Sequence, residues 1–197
     1  MGNWKNIYID NYSYFFTSSI VRSLPVLEPS EVKDELIELL TFYRREYVVS
    51  IQGYVIMPDH LHILLNSEKG DAIKNFMQHF LKNSSKRIIS LLESLSSKPL
   101  TVEVGNPFTS AKTENFLNIF RACANGRAKH TVWKEKSRGI PVYSDRVLKT
   151  KLDYIHQNPL RRGLVKNLED YIYSSYRNYY VNDHSVLEID CVHCLFT

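Results

Sequence analysis

The chain has 197 residues, 44% hydrophobic and 23% charged, with a formal net charge of +4, enough for one sizeable core of ordinary composition. Its longest uncharged apolar runs, such as Gln52–Pro58 and Leu61–Leu65, are far too short to span a bilayer. The opening Met-Gly-Asn-Trp-Lys lacks a secretory apolar region and three cysteines make no disulfide framework, so a cytoplasmic protein without membrane association is expected.

Tyr12–Val21 is aromatic and β-branched and reads as a first strand, broken by Pro25 and Pro29. Ser30 is placed to cap a helix from Glu31 to about Glu46. Its apolar residues Val32, Leu36, Leu39, Leu40 and Tyr43 recur at helical spacing. Acidic Glu31, Asp34 and Glu35 open it and Arg44 and Arg45 close it, as the helix dipole favours. Tyr47–Met57 reads as a second strand; Pro58-Asp59 signals a turn, and His60–Asn66 pairs back as a third. Asp71 can cap a second helix, Ala72 to about Leu95, with Phe76, Phe80, Ile88, Leu91 and Leu92 toward a core. Residues 94–112 read as loop, Glu114–Ala124 as a short helix and Asn125–Gly139 as a basic, turn-rich segment, an irregular insertion over about 96–139. Gly139–Tyr143 reads as a short fourth strand, which Pro141 confines to an edge. Ser144 or Asp145 caps a helix, Arg146–Asn158, ended by Pro159 and Gly163. The order strand-helix-strand-strand-helix-strand predicts a ferredoxin-like α+β fold, an antiparallel β-sheet with helices packed on it and the third strand central. No repeat or linker divides the chain, so one domain with a core over about 12–180 is expected.

Chemistry concentrates in two places. On a strand, His60 and His62 share one face while Leu61 and Ile63 share the other. Two adjacent imidazoles on a rigid strand form half of a metal site, although an isolated His-x-His is more often a hydrogen-bonded pair near a sheet edge. In the helix 146–158, Leu148, Leu152 and Ile155 form an apolar stripe. Lys151, Tyr154 and Asn158 lie on one edge of that stripe, His156 on the other. A tyrosine phenoxide can attack a phosphodiester and hold the strand covalently. A divalent cation on two imidazoles and an amide oxygen can offset the phosphate charge, and Lys151 can favour the phenoxide or hold a phosphate. With 13 tyrosines in the chain, a packing role for Tyr154 is the ordinary alternative.

Charge is unevenly spread. Residues 82–166 hold 17 Lys and Arg against 6 Asp and Glu, a net +11, and the rest holds 8 against 15, a net −7. Such asymmetry suggests a basic face for a polyanion, or a solvated charged face. Phe108, Phe116, Phe120, Trp133 and Tyr143 lie in the same half, where aromatic rings either stack on bases or fill a core. Cys191-Val-His-Cys194, with only His193 and His184 nearby, falls short of a zinc knuckle and is read as incidental.

Three blocks together resemble a known family. Tyr54-Val-Ile-Met-Pro-Asp-His-Leu-His-Ile-Leu-Leu65 resembles the histidine-hydrophobe-histidine block of the single-tyrosine HUH (IS200-like) transposases, in particular the branch called REP-associated tyrosine transposases. Asp153-Tyr-Ile-His-Gln-Asn-Pro-Leu-Arg-Arg-Gly-Leu-Val165 resembles that branch's tyrosine helix, and Tyr171-Ile-Tyr-Ser-Ser-Tyr-Arg-Asn-Tyr179 its Tyr/Trp-Ser-Ser segment. The blocks stand in the family's order, and the resemblance covers about residues 12–190. It implies an HUH nuclease fold and a Mg²⁺- or Mn²⁺-dependent cut in single-stranded DNA, commonly beside a hairpin, leaving a 5′-phosphotyrosine and a free 3′-OH. His60 and His62 match the metal histidines, Tyr154 the nucleophile and Asn158 the third, amide ligand. Imidazole suits Mn²⁺ better than Mg²⁺. Lys82, Lys86, Arg87, Arg127, Lys129, Lys151, Arg161 and Arg162 are candidate phosphate contacts. The chain departs from the family in its longer stretch 96–139 and in Trp133-Lys134, where a Trp-Gln pair is common; both bear on target choice more than on chemistry.

The leading expectation is therefore a DNA transposase acting on single-stranded or hairpin DNA. The alternatives are a domesticated, catalytically silent nucleic-acid-binding protein on the same scaffold, and a metal-dependent phosphoesterase that uses water. Family members act as monomers or as homodimers that exchange the tyrosine helix, and both stay open here.

Overall fold

The computed structural model describes residues 8–97, 109–126, 128–134 and 137–192. Strands β1 (Ser13–Ser19), β2 (Ser50–Ile56), β3 (His60–Asn66) and β4 (Ile140–Val142) form one antiparallel sheet in the order β2-β3-β1-β4. The third strand has the expected bounds and lies inside the sheet, and Pro141 does sit in an edge strand. The helices are α1 (Ser30–Glu46), α2 (Gly70–Ser96), α3 (Ser110–Ala122), α4 (Asp145–Arg161) and the short α5 (Tyr176–Tyr180). The element order is the ferredoxin-like one, with α3 added before β4 and two further helices after it.

Helices cover both faces of the sheet, so the strands are apolar on both sides rather than alternating with polar residues. Tyr14, Phe16, Ile51, Leu61, Ile63 and Leu65 pack in a large cluster with Leu36 and Leu40 of α1 and Phe76, Phe80 and Ile88 of α2. The opposite face is smaller: Phe15, Val55, Met57 and Leu64 meet Leu148, Leu152 and Ile155 of α4. The predicted apolar stripe of the tyrosine helix is thus its core side. Close approach there depends on Gly53 of β2, where a Cβ would stand 2.6 Å from Leu152 Cδ2.

The stretch read as an irregular insertion is partly built into the core. Thr109 caps α3 by accepting from the Lys112 N–H at 3.3 Å, and Phe116, Leu117 and Phe120 are buried. Trp133 bridges to Ile20, and its indole N–H donates to Ser84 Oγ on α2 at 3.0 Å. Phe116, Phe120 and Trp133 are therefore core residues, while Tyr143 is exposed and Phe108 lies outside the described residues.

Three local expectations are corrected. Ser30 lies inside α1 and turns to Glu31, and Pro29 takes the cap position. Asp71 is likewise inside α2, whose cap position is Lys69. Pro159 does not stop α4: it sits buried in the last turn, where losing one N–H costs a single helical bond, and the helix ends at Arg161 before Gly163 at φ +68°. The first two strands are also shorter than their apolar runs, because Val21–Ser23 forms a 3-10 turn and Tyr47 and Val48 turn the chain after α1, with Val48 at φ +52°.

The edge strand β2 is protected by the C-terminal segment rather than by another strand. Ser174 bridges to Val55, the Ile56 and Ser175 N–H groups donate to the carbonyls of Tyr173 and Tyr54, and the Tyr171 hydroxyl donates to the Ile56 carbonyl at 2.7 Å. Ser175 Oγ accepts from the Tyr54 N–H at 3.0 Å and lies 2.9 Å from His156 Nε2 on α4. The Tyr-Ser-Ser block therefore clamps β2 and the tyrosine helix together.

Candidate active site

His60 and His62 project from β3 onto the face that α4 covers, their ring centroids 4.6 Å apart. The β1–β3 register sets Thr17 opposite His62, and Thr17 Oγ1 lies 2.9 Å from His62 Nδ1. Phe15 stacks on the same imidazole at 5.4 Å. His62 Nε2 is buried and has no hydrogen-bond partner. Burial first, then the neighbouring His60 and Lys151, pull the His62 pKa down to about 3, so the ring is neutral at ordinary pH.

His60 is held in the complementary way. Its Nδ1–H donates to Asp59 Oδ1 at 2.7 Å, which leaves the lone pair on Nε2. Both imidazoles thus have Nδ1 engaged by the protein and Nε2 left over, the arrangement a metal-ligating histidine needs. The orphaned His62 Nε2 and the donor chemistry fit a divalent cation. Among the described residues no group of three or more His, Cys, Asp and Glu side chains is placed to hold a metal, so such an ion would need a different third donor. Asn158, whose amide is of that kind, is buried on α4 one turn after Tyr154.

The Tyr154 ring meets His62 edge-on at 5.0 Å and Phe15 at 6.1 Å, and it is 39% exposed. Lys151 places its ammonium 4.7 Å from the Phe15 ring centre, and the Arg161 guanidinium lies 5.9 Å from that of Tyr154. Arg162 reaches Asp59 Oδ1 at 3.0 Å. Two imidazoles, a phenol, an ammonium and two guanidiniums therefore gather from β3 and α4 on one side of the sheet.

Other candidate basic residues lie elsewhere. Lys82, Lys86 and Arg87 are carried on α2, which packs on the opposite sheet face, and Arg87 pairs with Glu35 at 2.6 Å and Glu38 at 2.8 Å. Lys129 is exposed beyond α3, and Arg127 and Cys194 lie outside the described residues. His156, on the opposite edge of α4 as expected, is buried against Ser175, and burial lowers its pKa to about 4. Reading the sequence missed Thr17 and Asp59. Thr17 is recognisable only from strand register, and Asp59 reads as a turn residue. No helix among the described residues is long and apolar enough to cross a membrane.

The family model described as Transposase IS200 like matches residues 11–104 of the chain. A Haemophilus influenzae protein (strain KW20 / Rd) named "Putative REP-associated tyrosine transposase" is 23% identical over 189 residues, covering 89% of this chain and 86% of that protein. A solved structure described as a REP-associated tyrosine transposase bound to a REP hairpin superposes with a TM-score of 0.55 at 17% identity, over 96% of this chain and 99% of that one. At that identity the likeness speaks to the fold alone, an antiparallel sheet with helices packed on it as expected from the strand and helix order. Together these findings agree with the resemblance carried by the histidine, tyrosine and Tyr-Ser-Ser blocks: the chain is similar to the IS200-like transposases and to proteins described as REP-associated tyrosine transposases.

Proposed function

We propose that the chain is a transposase that cleaves and rejoins single-stranded DNA beside a hairpin through Tyr154. The observation that carries this reading is the meeting of the Tyr154 ring with the His60–His62 pair, both of whose Nε2 positions are left over. In the cleavage step the Tyr154 hydroxyl loses its proton and its oxygen attacks the phosphorus. A tyrosine–phosphate bond forms, the bond to the 3′ oxygen breaks, and that oxygen takes up a proton to leave as a free 3′-OH. Reversal onto another 3′-OH rejoins the strand without consuming water. Lys151, whose ammonium lies over the Phe15 ring, and Arg161, whose guanidinium lies by the Tyr154 ring, would hold the phosphate. His60 and His62 would hold Mg²⁺ or Mn²⁺ through Nε2, with Asn158 as amide donor. Bound there, the ion neutralises charge on the scissile phosphate. Hairpin DNA is the proposed substrate because a structural relative is described as bound to one.

The test is incubation with labelled hairpin DNA and Mn²⁺, followed by a denaturing protein gel, for wild type, Tyr154→Phe and His60→Ala. A protein-linked label lost in both variants is expected. Cleavage without adduct, unchanged in Tyr154→Phe, would assign the nucleophile to water. Binding with neither would point to a silent DNA-binding protein.

A further inference from the structure

One carboxylate oxygen stands between the two halves of the site. Asp59 Oδ1 accepts from His60 Nδ1–H at 2.7 Å and from Arg162, the residue that follows α4, at 3.0 Å. The Asp59 side chain is 15% exposed. Its backbone is fixed: the Ile20 N–H donates to the Asp59 carbonyl, the Leu27 N–H to that of Pro58, and the Met57 N–H to that of His60, each at 2.8 Å. The carboxylate is thus held on rigid backbone and reaches both the histidine strand and the tyrosine helix.

We propose that Asp59 is a positioning residue that joins the two halves of the site, fixing the His60 imidazole and holding Arg162 at the end of the tyrosine helix. The inference deepens the proposed function and rests on it only for the role of His60 toward a cation. Because an ionised carboxylate only accepts, it keeps the proton on His60 Nδ1 and the lone pair on Nε2. Because Arg162 follows α4 directly, the same oxygen sets the position of the helix that carries Tyr154 about two turns earlier. One amino group of the Arg162 guanidinium is accordingly engaged within the molecule. A cation bound at His60 and a docked tyrosine then favour one another, since each is completed by the same group.

The experiment uses the full chain without metal. Nitrogen NMR of the histidine rings reads the His60 tautomer, and amide exchange reads the end of α4 over residues 158–162. The neutral His60 ring of wild type is expected to be in the Nδ1–H form, and that of Asp59→Ala a mixture. Exchange over 158–162 is expected to quicken roughly three- to tenfold in both Asp59→Ala and Arg162→Met, as for removal of a charge-assisted hydrogen bond. The double variant should quicken no further than either single one. Mn²⁺ affinity, measured by calorimetry, should fall roughly 10- to 100-fold in Asp59→Ala, the usual result of removing a ligand's outer partner. An unchanged tautomer in Asp59→Ala, or exchange effects that add in the double variant, overturns the proposal. Should Asp59→Ala not fold, unchanged exchange in Arg162→Met overturns it and quickened exchange supports it. A wild type that shows the tautomer and the exchange coupling but binds no Mn²⁺ overturns the cation reading and leaves the coupling standing.

Discussion

The Tyr154 ring stands edge-on to the His62 imidazole, 5.0 Å between centroids and 69° between planes, and both residues belong to one chain. Phe15 completes the corner, stacked on His62 and edge-on to Tyr154. Within this chain the proposed nucleophile therefore stands beside the histidine pair.

The first prediction concerns metal binding independent of turnover. If His60 and His62 hold a cation through Nε2, Mn²⁺ stabilises the folded state over the unfolded chain. At a hundredfold excess over the dissociation constant this is about 2.7 kcal/mol, or roughly 5–10 °C in Tm for a chain of this size. Thermal unfolding should show that shift in wild type and in Tyr154→Phe, and none in His60→Ala or His62→Ala. Mg²⁺ should produce a smaller shift, because imidazole is the poorer donor for it, and a chelator should reverse both.

Gly53 tests how the tyrosine helix is seated. A methyl group there would meet Leu152 Cδ2, itself fully buried, at 2.6 Å, with Ile155 Cδ1 and Ser175 Oγ at 3.5 Å. Gly53→Ala should destabilise by about 1–3 kcal/mol, the usual range for overpacking, and should lower adduct formation by displacing α4. Leu152→Ala alone should cost about 2–5 kcal/mol, yet the double variant should be more stable than the sum of the single losses implies. Denaturant midpoints measure all three.

Acid should weaken the fold from near-neutral pH downward. His156 has its pKa lowered from 6.5 to about 4 by burial, so its proton binds the unfolded chain more readily than the folded one. Its contribution is complete above about pH 6.5 and is lost as pH falls toward 4, up to about 3 kcal/mol over the window. His62, lowered to about 3, acts in the same direction and over a wider range. Unfolding free energies at pH 7 and pH 4.5 should differ less in His156→Gln than in wild type.

The basic residues can be sorted by salt dependence. Removing one cation that pairs with a phosphate lowers the slope of log affinity against log salt by about 0.7–0.9. Lys151→Met, over the Phe15 ring, and Arg161→Met, by the Tyr154 ring, should each show that drop on hairpin DNA. Lys82→Met, on the opposite face of the sheet, should show it only if the DNA wraps around the molecule.

Much of this arrangement is legible in the chain itself. The bounds of β3 follow from an apolar run closed by Pro58-Asp59 and Asn66, and the core side of α4 from Leu148, Leu152 and Ile155. Local signals misled where packing outweighed them. Pro159 reads as a stop, yet its ring is buried and it removes only one bond from the last turn. Ser30 reads as a cap, yet Pro29 takes that place. What holds the histidines was not legible, because Thr17 becomes a partner of His62 only once β1 and β3 are in register. Asp59 was hidden by its place in a turn, although its partner in sequence is the adjacent His60.

The unequal clusters on the two faces of the sheet give the molecule a body and an arm. Three helices and most of the apolar residues hold the body, whereas α4 rests on the smaller set around Phe15, Leu64 and Leu152. A helix seated on the lesser core has less buried apolar surface to give up on moving than α1 or α2. On the proposed chemistry a cut DNA end would ride on that arm as cargo, while the histidine strand stays anchored in the body.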